Sequence, residues 1–110
     1  MAIQAALREA AAVPLETARL CAALLQLAEA AAPLLTPSVI SDVMVGALLA
    51  QAALESAALN VEVNLAATTD ASAADQLQRE LETARSGSAE RLARILDTAR
   101  SRLSKPVAKR

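Results

Sequence analysis

The sequence predicts an all-α fold, a bundle of long helices, and three observations carry that reading. Of the 110 residues, 29 are Ala and 18 are Leu, two of the strongest helix formers. Two Gly, 4 Pro, 7 Val and 3 Ile are too few turn and β-branched residues for a set of short strands. Apolar side chains then recur at helical spacing through three long runs, separated by Pro or by Ser, Thr and Asp. The apolar fraction is 55% against a usual value of about 45 to 50%. In so small a chain that excess predicts burial against another chain, hence an oligomer.

The first run spans residues 3–32. On a helical wheel, Gln4, Arg8, Glu9, Glu16, Arg19, Gln26 and Glu29 fall on one side, with Leu7, Leu24 and Leu25 on its flanks and far side. That is an amphipathic helix. Pro14 interrupts the pattern without shifting its phase, which leaves either a kink or a fresh helix start. Pro33 and Pro37 end the run and predict an extended connector over 33–38.

The second run, 41–65, is apolar nearly all round, which predicts a buried helix. Its polar residues form two stripes. With Ser56 at the origin, Gln51, Glu55 and Glu62 lie between about 220° and 260°, a pattern that reads as ordinary solvent face. Asp42, Gly46, Ser56, Asn60 and Asn64 lie between about 0° and 80°, nearly opposite, with Leu49 and Ala53 completing the row. This second stripe predicts a weakly hydrated polar row. Buried amides and carboxylates without partners cost about 1 to 3 kcal/mol each, so such a row serves a hydrogen-bond network or a ligand. Taken singly, Asp42 also suits a helix start, Ser41 an N-cap, Asn60 and Asn64 interhelical bonds, and Gly46 a close helix approach.

The third run, 73–103, follows a start signal at Thr69-Asp70 or Ser72. Its apolar seam is Leu77, Leu81, Ala84, then Leu92, Leu96, Ala99 and Leu103. The spacing slips by one residue where Ser86-Gly87-Ser88 falls, which predicts a bend or phase slip. Residues 105–110 read as a basic tail after a single unit spanning 1–104. Formal net charge is −1, yet residues 98–110 carry five bases and no acid.

Several classes are disfavoured by composition. With no Phe, Tyr or Trp there is no ring to stack on a base, so no nucleic-acid partner is expected. With no His the commonest general base and metal ligand is missing, and any chemistry falls to carboxylates, amides and hydroxyls. Cys21, alone and within a helical run, reads as a core thiol in a reducing cytoplasm. The longest uninterrupted apolar stretch, Val43 to Ala50, is short of the roughly 18 to 20 residues that span a bilayer, so no membrane partner is expected.

Four motifs in order, Val13-Pro14-Leu15-Glu16-Thr17-Ala18, the Pro-containing turn ending in Ser41-Asp42, Val45-Gly46-Ala47-Leu48-Leu49-Ala50, and Ala58-Leu59-Asn60-Val61-Glu62-Val63-Asn64-Leu65, resemble the folate cyclodeaminase/cyclohydrolase family. The resemblance runs from about Ala5 to Leu103. It implies a cyclodeaminase-like helical domain of which this chain is the C-terminal half, lacking the family's Gly-rich loop and acid/base Asp. It also implies a homodimer or a complementary chain, a tetrahydrofolate derivative as substrate, and no permanently bound cofactor or metal. The pattern departs from the family at Thr36-Pro37-Ser38, at Ser56 and at Glu62.

The reactions so implied are hydrolysis of 5,10-methenyltetrahydrofolate, where water attacks a cationic amidine carbon, or cyclodeamination of the 5-formimidoyl compound with loss of ammonia. Both need a carboxylate to move a proton and amides to hold the pterin. Asp42 is the candidate electrostatic or orienting group, and Ser41, Asn60 and Asn64 are the candidate substrate-binding residues. The rival expectation is a non-catalytic helical dimerisation module derived from the same family.

Overall fold

The computed structural model describes residues 2–103 and is helical throughout, with no strand among the described residues. Helix α1, Ala2–Ala31, continues through Pro14, so no fresh start occurs there. Pro14 has no N–H to offer the Ala10 carbonyl, and Ala10 lies at an open groove. A short 3-10 turn, Ala32–Leu34, leads to extended Leu35. Helix α2, Pro37–Ala67, then begins four residues earlier than the sequence suggests. Its N-cap position is Thr36, whose carbonyl accepts from the N–H groups of Val39 and Ile40 at 3.1 Å each. Pro37 starts the helix rather than blocking it, because the donor it lacks is an orphan at that position anyway. Ser41 therefore sits inside α2 and is not its cap.

Helix α3, Ala71–Arg85, is capped by Asp70, whose Oδ1 accepts from the N–H groups of Ser72 at 3.0 Å and Ala73 at 3.2 Å. The single third run of the sequence reading is two helices. Gly87 adopts φ 73°, a left-handed conformation that Gly takes without steric cost, and α4, Ser88–Leu103, starts there.

Helices α1 and α2 form an antiparallel hairpin. Helices α3 and α4 lie end to end along one side of it, as a broken third helix. Arg8 of α1 pairs with Asp70 at 3.2 Å and Arg19 with Glu80 at 3.8 Å, while further along α1 Glu29 pairs with Arg91 and Arg94 of α4. At the far end Arg102 donates to the Leu35 carbonyl at 2.6 Å. The polar side of α1 is thus turned toward α3 and α4. The core is built of small residues: Ala18, Cys21, Leu25, Ala47, Ala50, Leu54, Ala57 and Ile95 at the centre, with Leu15, Ala58, Val61 and Leu81 toward one end. Ala32, Ile40 and Ala99 close the other end. Cys21 is a buried free thiol, as expected.

The prediction that α2 is buried all round is corrected. Its inner half is covered, but Val45, Leu48, Leu49, Leu59 and Val63 are exposed, as are Val13, Leu20, Leu24 and Leu27 on α1. One further layer of two short helices cannot wrap both faces of a hairpin this long. The molecule is a rod of 71 × 17 × 16 Å with a radius of gyration of 18.0 Å, against about 13 Å for a compact domain of this length. By length and composition, Ala2–Leu34 and Pro37–Ala67 would each suffice to cross a bilayer. Counting only uninterrupted apolar residues understates this. The basic tail at 105–110 lies outside the described residues.

Candidate functional site

The two polar stripes of α2 change places relative to the sequence reading. Gln51 and Glu55, expected to face solvent, face the α3–α4 corner. Gln51 Nε2 donates to Ser88 Oγ at 3.3 Å and to Glu55 Oε2 at 3.2 Å, and Arg85 Nη2 donates to Glu55 Oε1 at 2.8 Å. Ser88 is a buried polar residue, 7% exposed, so this contact ties the Gly87 turn to the middle of α2. Only Glu62 of that stripe is exposed. The row read as weakly hydrated is instead on the open face. A wheel separates two stripes but cannot say which meets a neighbour when the inner face is marked by Ala rather than by large side chains.

Part of that row lines a groove between α1 and α2 of about 510 Å³. Ser56, Asn60 and Asn64 stand on the α2 side, above Ala53 and Ala57, and Ala10, Val13, Pro14 and Thr17 form the α1 side. The hydroxyl protons there are already used. Ser56 Oγ donates to the Ala52 carbonyl at 2.8 Å and Thr17 Oγ1 to the Val13 carbonyl at 3.1 Å. Asn64 Nδ2 donates to the Asn60 carbonyl at 2.9 Å. What these groups still present to the groove is oxygen lone pairs. The Asn60 side chain bonds to no other described residue and keeps both its donors and its acceptor. None of the described residues lining the groove is ionisable, so it can bind but cannot by itself move a proton.

Asp42 and Ser41 are exposed and distant. They precede Asn60 by 18 and 19 positions on one helix, about 27 to 29 Å at 1.5 Å per residue. Asp42, Asn60 and Asn64 share a face, but within one chain they do not form one site. Periodicity reports direction around a helix and is blind to distance along it. Gly46 shows no close helix approach either, since nothing lies within 4 Å of where its Cβ would be. Thr17 and Val13 are site-lining residues that the sequence reading did not single out, although both lie in the first of the four motifs.

Among the described residues no cluster of three or more His, Cys, Asp or Glu is placed to hold a metal ion. Glu29 has a displaced pKa, held below its ordinary 4.5 by the hydrogen bond from Arg94 and by the charges of Arg94 and Arg91, with partial desolvation opposing. It belongs to the α1–α4 contact and not to the groove. A second cleft, about 350 Å³ between α1 and α3, is lined by Arg8, Asp70 and Glu80, whose charges are already paired.

A family model described as formiminotransferase-cyclodeaminase matches residues 1–83. The chain belongs to that family. The match covers α1, α2 and α3 as far as Thr83, hence every groove residue and also Ser41 and Asp42, while α4 lies beyond it. A methenyltetrahydrofolate cyclohydrolase of Methylorubrum extorquens is 45% identical over 80 residues, 73% of this chain and 38% of that protein. The chain thus spans well under half the length of this family relative.

Proposed function

We propose that the chain works in folate one-carbon metabolism in the cytoplasm, on 5,10-methenyltetrahydrofolate as a cyclohydrolase, with no permanently bound cofactor. The observation that carries this is the 45% identity to a protein named for that reaction, beside a family match over residues 1–83 that includes every groove residue. The groove's chemistry suits the substrate. Four oxygen acceptors, on Thr17, Ser56, Asn60 and Asn64, converge where an amidinium cation or the N–H edge of a pterin would find partners. Asn60 binds by donor and acceptor together, and Asn64 by its carbonyl oxygen. Attack of water on the amidine carbon then requires a base to take a proton. Because no groove residue is ionisable, that carboxylate comes from an associated chain, with Asp42 and Ser41 of such a chain as the candidates this sequence offers. Cyclodeamination makes the same demands and is supported only by the family's name.

A second reading, a non-catalytic dimerisation module, is favoured by the same lack of an ionisable group and by the 38% share of the relative's length. Calorimetric titration with tetrahydrofolate, together with the rate at which methenyltetrahydrofolate absorbance decays, separates the two. The enzyme reading expects accelerated decay, and Asn60→Ala to weaken binding by about tenfold, the worth of one or two hydrogen bonds. Stable association without folate binding would leave the module.

A further inference from the structure

We propose that the cavity where α1 meets the α3–α4 turn is a binding site for a phosphate group, separate from the groove between α1 and α2. Its volume is about 180 Å³, below the roughly 300 to 1,000 Å³ of pockets that take drug-sized ligands. That is room for a small ion. Arg19 and Gln26 line it from α1, Thr83 and Ser86 from the end of α3 and the turn, and Ser88 and Arg91 from α4. No carboxylate is among the described residues lining it. The cleft at Asp70 and Glu80 differs on this point, because there the lining itself neutralises the charge of Arg8.

The donors around this cavity are unspent. Arg8, Arg85, Arg94 and Arg102 each donate a hydrogen bond to an oxygen of the chain. Arg19 and Arg91 stand near carboxylates and donate none. Arg19 lies 3.5 Å from Glu16 and 3.8 Å from Glu80, and the buried Arg91 Nε, 3.1 Å from Glu29, has no hydrogen-bond partner. Ser88 is 7% exposed, and its Oγ accepts from Gln51, which leaves the hydroxyl proton for a ligand. The Ser86 hydroxyl and the Gln26 amide bond to no other described residue. Only Thr83 has its proton engaged, by the Arg79 carbonyl at 2.9 Å.

Donors with net positive charge and no facing acid call for an oxyanion. A planar carboxylate matches the fork of one guanidinium, whereas a tetrahedral phosphate offers oxygens in several directions at once. Here the donors arrive from α1, the turn and α4. Ser88 also opens α4, a helix of 16 residues, whose unpaired first N–H groups add to the preference for negative charge. A phosphate seated there bridges α1, inside the family match, to α4 outside it.

The cavity shares no residue with the groove, so a failed folate assay leaves the phosphate site standing. Calorimetric titration of the full chain with inorganic phosphate, at fixed ionic strength in chloride, is expected to give saturable binding with Kd of about 1 mM or tighter. Acetate should bind at least about tenfold more weakly. Glycerol phosphate run in parallel separates the sources: the tighter of the two marks either a phosphoryl group on a larger molecule or the free ion. Arg19→Gln and Ser88→Ala should each weaken phosphate binding about tenfold with helicity retained. Arg100→Gln, an equal change of charge at an exposed position of α4, should leave it unmoved. No saturable binding up to about 10 mM phosphate, acetate binding as tightly as phosphate, or Arg100→Gln weakening it as much as Arg19→Gln would overturn the proposal.

Discussion

The Glu29 carboxylate of α1 is gripped by Arg94 of α4, whose Nε donates to Oε2 at 2.7 Å, while Arg91 Nε lies 3.1 Å from Oε1 as an ion pair without hydrogen-bond alignment. This pair fastens α4, the helix outside the family match, to the part of the chain inside it.

Its pH dependence follows from the direction of the shift. The folded-state pKa of Glu29 lies below the ordinary 4.5, so its contribution to stability is complete above that value and is lost as pH falls through the depressed pKa. Glu29→Gln is expected to lower Tm at neutral pH and to lose that deficit progressively at an acidic pH taken down below 4.5 through the depressed pKa. Thermal melts of both proteins at the two pH values check this. An equal deficit at both would contradict it.

How much of this was legible in the sequence differs from element to element. The all-α class, the ends of the first run and the break at Ser86-Gly87 follow from local chemistry: Ala and Leu content, Pro and Gly. The sequence pattern places the start of α2 four residues late, because Pro37 reads there as a terminator whereas its ring favours the first helical position. The exchange of the two α2 stripes was not legible, since Gln51 and Glu55 reveal their inward role only once α3 and α4 arrive. Asn60, Asn64 and Ser56 were found as a group. Asp42 shares their angle but, 18 positions from Asn60 on α2, stands apart from them within one chain, because an angular pattern carries no length.

The two glycines should respond oppositely. At Gly87 a side chain meets open space, yet φ is 73°, so Gly87→Ala is expected to cost about 1 to 2 kcal/mol in backbone strain. Gly46→Ala meets nothing within 4 Å inside a helix and should stabilise the chain by about 0.5 to 1 kcal/mol. Urea denaturation of the two variants gives both values.

Leu54 and Leu49, five residues apart on α2, separate the core from the open face. Leu54 is 0% exposed and Leu49 65%. Leu54→Ala should cost about 2 to 5 kcal/mol through lost burial and the cavity left behind. At dilutions where the chain is monomeric, Leu49→Ala should change stability by less than about 0.5 kcal/mol. Comparable losses would mean that the face is covered within the single chain.

Asp70 caps α3 and also receives Arg8 from α1. Asp70→Ala is expected to cost about 1 kcal/mol, mostly from the two freed N–H groups. Asp70→Ser, which keeps a cap but loses the charge, should recover most of it, because the exposed ion pair is worth little. Equilibrium unfolding of the pair of variants decides between cap and charge.

The central claim joins the folate groove to a second chain, and its most direct test is the initial rate of methenyltetrahydrofolate decay measured across a dilution series of the protein. The account predicts a rate that rises more steeply than linearly with protein concentration until dimers saturate, and that Leu24→Glu abolishes. Decay no faster than in buffer at any concentration, or a rate strictly proportional to chain and indifferent to Leu24→Glu, would contradict it.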